Sequence, residues 1–272
     1  VHNNLGIALK DLGQHDTAVK SFEKALAIKP DYAEAHNNLG VTLQELDQHD
    51  TAVQCYEKAL AINPDYAEAH NNLGNTLKEL GQLDAAVKHY DKALMITPDY
   101  AEAHNNLGNT LKELGQLDEA VKSYERALSI NPDLGQAHSG LGLTFHDLGQ
   151  LDEAVKSYER ALELNPIDHS MRHLLNSLLG QNSQSAPNEY IESLFNNYAH
   201  RFDDSLVNKL EYTMPSLLRK TFLDSSLANN KIRKTIDLGC GTGLSGAEFR
   251  DLTETLIGID ISDKMIAKAE EK

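Results

Sequence analysis

The sequence predicts a mainly α fold: a solenoid of helical hairpins, followed by the N-terminal part of a parallel α/β domain. Two observations carry this. Pro30, Pro64, Pro98, Pro132 and Pro166 recur every 34 residues, and they are five of the seven prolines in the 272-residue chain. Far downstream, a short β-prone run from Thr235 to Leu238 leads straight into a glycine-rich loop that ends at Gly243. Self-similarity at a fixed period of tens of residues marks stacked supersecondary units.

Residues 101–133 display the repeating unit, and each recurring residue type has a mechanical reason. Leu107 and Leu111, four apart, make the apolar stripe of a first helix. Gly108 lacks a side chain, so a partner helix can approach closely. Gly115 stands where that helix ends, a position suited to left-handed backbone angles. Asp118 is placed to cap the second helix, and Glu119 suits its positive end. Ala120 and Ala127 keep the helix–helix contact tight, with Tyr124 filling the space between. Pro132 cannot continue a helix and marks the turn to the next unit. A single hairpin cannot bury its apolar face, so stability comes from neighbouring copies. One copy carries Asp47 where the others have glycine, for which a modest local cost is expected.

On these residues the unit resembles the tetratricopeptide repeat (TPR), and five copies cover residues 1–168, the first lacking its opening residues. The resemblance implies a protein or peptide partner in a concave groove lined by the first helix of each hairpin. Positions two, five, six and nine of the repeat point inward by helical spacing. The sixth is Asn4, Asn38, Asn72 and Asn106; the fifth adds Asn3, Asn37, Asn71 and Asn105. Carboxamides donate and accept, so they can hold a peptide backbone without reading its sequence. This is similar to the asparagine ladder of O-linked N-acetylglucosamine transferases; a merely solvated polar face is the competing reading. Glu34, Glu68 and Glu102 favour partners with some positive charge. The histidines at the same period, His2, His36, His70, His104 and His138, read as space-filling side chains between stacked helices. No metal site is expected, because no close cluster of ligands accompanies them.

Composition narrows the partners. Twenty-five basic against 41 acidic residues give a formal net charge of −16, which repels nucleic-acid phosphates and anionic membranes. No apolar run approaches the ~20 residues of a membrane span, so no membrane insertion is expected. There is no signal-peptide pattern. The two cysteines, Cys55 and Cys240, suggest no disulfide framework, and a reducing, cytoplasmic setting is expected.

After the repeats, residues 169–180 keep the first-helix pattern weakly, with Leu174, Leu175 and Leu178, and read as a capping helix. Residues 181–187 are polar and read as a linker. Residues 188–230 return to helical spacing, with Ile191, Leu194, Phe195 and Tyr198, then Pro215 opening a helix with Leu217, Leu218 and Phe222. In residues 231–272 the order is strand, glycine loop, helix-like segment, second apolar run Leu256–Ile261 and helical tail, the opening of a parallel sheet. Asp260, at the end of the second run, is placed to accept both hydrogen bonds of a ribose diol.

Gly241-Thr-Gly243-Leu-Ser-Gly246 formally matches a dinucleotide fingerprint, which alone is a weak signal. The better match is Asp237-Leu-Gly239-Cys-Gly241-Thr-Gly243 followed by Ile259-Asp260-Ile261-Ser262. It resembles the first two motifs of class I S-adenosylmethionine-dependent methyltransferases. Tyr198-Ala-His-Arg-Phe202-Asp203 looks like the lead-in segment of TPR-linked members of that group. The resemblance implies a TPR α-solenoid followed by the N-terminal part of an α/β Rossmann-like methyltransferase domain, with S-adenosyl-L-methionine as cofactor. It implies that Gly239, Gly241 and Gly243 admit the methionine portion, that Asp237 lies beneath its amino-acid part, that Asp260 holds the ribose hydroxyls and that Ile261 packs on adenine. Cys240 reads as a small loop filler. Only about two of the family's seven strands are visible, so the methyltransferase core is read as truncated and the 272 residues as a fragment cut at both ends, inactive alone. The alternatives are a non-enzymatic TPR scaffold and, less favoured, a dinucleotide-dependent oxidoreductase. The catalytic base and the methyl acceptor are not legible.

Overall fold

The computed structural model describes residues 1–181, 188–203, 213–224, 232–238 and 240–271. They form two compact units, Val1–Met171 and Arg172–Lys272. The first contains five helical hairpins: α1 His2–Asp11 with α2 His15–Ile28, α3 Ala33–Glu45 with α4 His49–Ile62, α5 Ala67–Glu79 with α6 Leu83–Ile96, α7 Ala101–Glu113 with α8 Leu117–Ile130, and α9 Gly135–Asp147 with α10 Leu151–Leu164. The first unit ends inside α11, His169–Leu178, the helix expected to cap the array. The expected linker at 182–187 lies outside the described residues.

Each hairpin closes by seating one aromatic ring on one glycine. The rings of Phe22, Tyr56, Tyr90, Tyr124 and Tyr158 are wholly buried. A Cβ built on the facing Gly6, Gly40, Gly74, Gly108 or Gly142 would lie 2.6–2.8 Å from a ring carbon. The close approach expected at Gly108 is therefore a ring contact, repeated in every copy. The alanines beside it, Ala120 and Ala127, have no exposed surface.

First helices end as the glycines foretell. Gly13, Gly81, Gly115 and Gly149 have φ of 72–75°, and Asp47 adopts 58° at the same place. Gln116 N donates to Leu111 O and Gly115 N to Lys112 O, which satisfies the last carbonyls; Gln48 and Asp47 make the same pair to Leu43 O and Gln44 O. The turn survives Asp47 because a short polar side chain tolerates left-handed angles. Asp118 differs from expectation: the N-cap of α8 is Gln116, without a side-chain cap bond, and Asp118 sits in the first turn. There its charge still meets the positive end of the helix.

In the second unit, α12 spans Asn188–Asp203 and α13 spans Met214–Leu223, opened by Pro215. Strand β1, Ile232–Leu238, pairs in parallel with β2, Thr253–Ile259, with Asp237 opposite Gly258. Between them lie α14, Leu244–Phe249, and a short 3-10 turn, Arg250–Leu252; α15, Asp263–Glu270, follows β2. Helix α13 packs on α14 through an edge-on Phe222–Phe249 pair, and its Arg219 makes a forked ion pair with Asp251 of the 3-10 turn at 2.6 and 2.8 Å. Ile236 and Ile259 remain about half exposed on the two-stranded sheet.

Residues 1–180 should fold without the rest, giving a strongly helical circular dichroism spectrum and one cooperative melt; a non-helical product would refute the self-sufficient array. Within it, Asp47→Gly should raise stability by up to about 1 kcal/mol by relieving a left-handed non-glycine residue. Gly108→Ala should cost about 1–3 kcal/mol by driving a methyl group into the Tyr124 ring. Denaturant melts of the two variants check both.

Candidate functional site

The glycine loop is fixed by the acid that follows it in sequence. Cys240 N donates to Ile259 O, which ties the loop to the end of β2. One Asp260 oxygen accepts from Gly241 N at 2.9 Å and the other from Ser262 N at 2.9 Å. Two backbone donors thus hold this carboxylate at the mouth of the loop, and each oxygen keeps a lone pair for a further donor. Gly241 and Gly243 have φ of 50° and 77°, where side chains are disfavoured. At Gly243 the space is taken by the protein itself, because an added Cβ would meet Ala269 Cβ at 2.9 Å. Gly239 lies outside the described residues.

Asp237 leaves β1 with its Oδ2 buried and without a hydrogen-bond partner among the described residues. Burial, and then the charge of Asp260, push its pKa above the usual carboxylate value. A buried carboxylate oxygen with no donor is costly, and a cationic or hydrogen-bonding ligand would relieve it. A cavity of about 370 Å³ brings Asp237 together with Cys240, Gly243, Ala247 and Ile266. Asp260 and Ile261 do not line it. Ile261 is 44% exposed.

Helix α12 is locked onto this loop by contacts that the loop motif does not contain. Asp203 Oδ1 accepts from the hydroxyl of buried Thr242. Ser262 Oγ donates to Asn196 Oδ1 at 2.6 Å and accepts from Met265 N at 3.1 Å, capping α15. Phe202 stands 3.3 Å from where a Cβ would sit on Gly241. Met265 is wholly buried, in keeping with a core residue.

In the array, the asparagines make a ladder of a different kind from the one expected. Asn3, Asn37, Asn71 and Asn105 are buried rather than groove-lining. Asn38 Nδ2 donates to Asn3 Oδ1 at 3.2 Å, Asn72 to Asn37 at 3.1 Å and Asn106 to Asn71 at 3.0 Å. Each rung staples one copy to the next. Asn4 is exposed and belongs to no rung among the described residues. Asn3 and Asn37 also donate to Glu34 and Glu68 at 3.1 Å, which fixes those carboxylates.

The periodic histidines have one partner type. Nε2 of His36, His70, His104 and His138 lies 2.9–3.1 Å from the carbonyl oxygen of Pro30, Pro64, Pro98 and Pro132 respectively. The ring satisfies a carbonyl in the turn before its own helix. His70 makes a second contact that no other described copy repeats: its Nδ1 lies 3.0 Å from Nδ1 of His89. Burial, then the charges of His70 and Lys92, lower the His89 pKa to about 4, and burial lowers that of His70. His89 had a readable signal, since the same repeat position holds Ser21, Cys55, Ser123 and Ser157 elsewhere. Among the described residues, no three His, Cys, Asp or Glu side chains are grouped to hold a metal. No helix among them is long and apolar enough to cross a membrane.

Comparison with known proteins follows the same division. Family models described as Tetratricopeptide repeat match residues 1–65, 99–166 and 55–88, and one described as TPR repeat matches 74–115. A model described as Methyltransferase domain matches residues 236–272. Among solved structures, MamA is 28% identical with a TM-score of 0.54, over 59% of this chain and 94% of that one. A thermophilic TPR protein from Thermus thermophilus is 29% identical with a TM-score of 0.54, over 65% of this chain and 97% of that one. YrrB, a TPR protein with an unusual peptide-binding site, is 22% identical with a TM-score of 0.53, over 64% of this chain and 89% of that one, and shares the fold. No curated protein matches the chain.

The ladder and the imidazole pair each carry a measurable consequence. Asn72→Ala should lower stability by roughly 1–3 kcal/mol, because it removes a donor and strands the buried Asn37 oxygen. Asn4→Ala should leave the melting temperature unchanged, and equal effects would refute the stapling role. The pair should also make the array acid-sensitive. An unfolded imidazole titrates near pH ~6.5, whereas folded His89 titrates at about 4. The unfolded chain therefore binds the extra proton between those values, and stability is retained above pH ~6.5 and lost as pH falls toward 4. His89→Ser should flatten that slope in melts recorded with a chelator present.

Proposed function

Because the chain belongs to the TPR family across residues 1–166 and matches a methyltransferase domain from residue 236, we propose that it couples a protein-binding array to S-adenosylmethionine-dependent methyl transfer. The observation that carries the cofactor assignment is the buried Asp237 oxygen by the glycine loop, which has no hydrogen-bond partner among the described residues. The ammonium of a methionine moiety has the charge and donors to satisfy it. Asp260, held by two backbone amides, has lone pairs left for ribose hydroxyls. Ile261 offers an exposed apolar surface for an adenine ring. When bound, S-adenosylmethionine supplies an electrophilic methyl group; the chain's residues bind and orient, and orientation supplies much of such an acceleration. The half-exposed Ile236 and Ile259 mean that the site reaches full order only where further elements cover that sheet face.

The array's share is recruitment. Carboxylates of Glu34 and Glu68, fixed by Asn3 and Asn37, favour an extended partner with positive charge. The described residues assign no general base. A scaffold without enzymatic activity is the second reading, favoured by the Gly243–Ala269 contact, which gives one loop glycine a purely structural reason.

Calorimetry on the protein decides. S-adenosylmethionine should bind and NAD should not, and Asp260→Ala should abolish binding. Binding of NAD in preference would overturn the cofactor assignment, and binding of neither would leave the scaffold.

A further inference from the structure

We propose that the cleft between α4 and α6 binds a neutral aromatic molecule carrying one N–H or O–H donor, which is received by Nε2 of His89. The cleft has a volume of about 550 Å³, within the range of small-molecule sites. Its apolar lining is Leu60, Ala61, Pro64, Leu73, Met95 and Ile96.

The acceptor follows from a chain of hydrogen bonds that runs in one direction only. A carbonyl oxygen accepts and never donates, so the Pro64 contact at 3.1 Å puts a His70 proton on Nε2. Burial lowers the pKa of both rings, that of His89 to about 4, so each holds a single ring proton at pH ~7. His70 Nδ1 is therefore a lone pair, and the 3.0 Å contact with His89 Nδ1 is a hydrogen bond that His89 donates. With the His89 proton on Nδ1, its Nε2 is a bare acceptor. That nitrogen has no hydrogen-bond partner among the described residues and stays accessible from the cleft that His89 lines.

Two side chains of this lining are particular to the third copy. Where His89 stands, Ser21, Ser123 and Ser157 turn back and donate to carbonyls of their own helices at 2.9–3.0 Å. Where Met95 stands, the other copies have Ala27, Ala61, Ser129 and Glu163. Met95 is 82% exposed, an apolar side chain that a ligand would cover. Its thioether packs favourably against aromatic rings. The charges select a neutral guest: Lys92 opposes a cation, whereas Glu57, Asp65 and the bare nitrogen oppose an anion.

The probe is indole, and the chain has no tryptophan, so the fluorescence of added indole reports on binding alone. In the free chain, nitrogen-15 spectra should show the unprotonated nitrogen of His89 as Nε2 and that of His70 as Nδ1. Indole should shift the His89 Nε2 resonance before those of His36, His104 or His138. N-methylindole, which has the same rings but no donor, should bind roughly tenfold more weakly, the worth of one hydrogen bond. His89→Ser should bind both probes equally, and Met95→Ala should weaken both by a similar factor. If His89→Ser does not fold, the nitrogen-15 shifts and the indole to N-methylindole ratio in the unaltered chain decide alone. A protonated Nε2 on His89, equal binding of the two probes to the unaltered chain, an unchanged preference in His89→Ser, or no binding of indole overturns the site.

Discussion

Everything in the array depends on a ring resting on a glycine. One methyl group on Gly74 would overlap Tyr90, so the two helices of a hairpin meet at a distance that only a missing side chain allows. That distance brings Ala86 and Ala93 into full burial beside the ring. It also sets how far each first helix stands from the next, and hence whether an asparagine can reach across. The ladder from Asn106 to Asn71 and from Asn72 to Asn37 is a consequence of this contact and adds polar stitching to an apolar stack. Buried carboxamides repay their desolvation only when bonded, so the ladder also fixes the register of stacking.

The 34-residue period made the helices, turns and buried glycines legible, because each follows from a local rule. Left-handed angles at Gly115 and at Asp47 could be foreseen from residue type and position. The bonds between asparagines of neighbouring copies are not legible. Helical spacing gives the direction of a side chain, but whether Asn37 meets solvent or a neighbour depends on how tightly the next copy stacks. The His70–His89 contact is not legible for a related reason: the two residues lie 19 positions apart, on opposite helices of the hairpin.

In the second unit the motif was legible and its supports were not. Asp237, Gly241, Gly243 and Asp260 stand together because loop, strand end and acid are short-range in sequence. The role of Asp260 in tying the loop to the following turn needs two backbone donors that no sequence pattern displays. The bonds from Ser262 to Asn196 and from Thr242 to Asp203 cross 66 and 39 residues, and they make α12 a structural part of the loop's surroundings.

The rungs of the ladder share one direction: each copy donates backward to its predecessor. The series stops at Asn105, whose oxygen is buried without a donor among the described residues because Gly140 stands where the next asparagine would be. Interior copies are therefore interchangeable parts. An exchange that removed residues 67–100 would set Asn106 against Asn37 and rebuild the same rung. The joint between the fourth and fifth copies has no such freedom, since Gly140 is fitted to the Tyr124 ring. Gain and loss of whole repeats during descent should accordingly be confined to the front of the array, with the last joint inherited as a fixed coupling to whatever follows it.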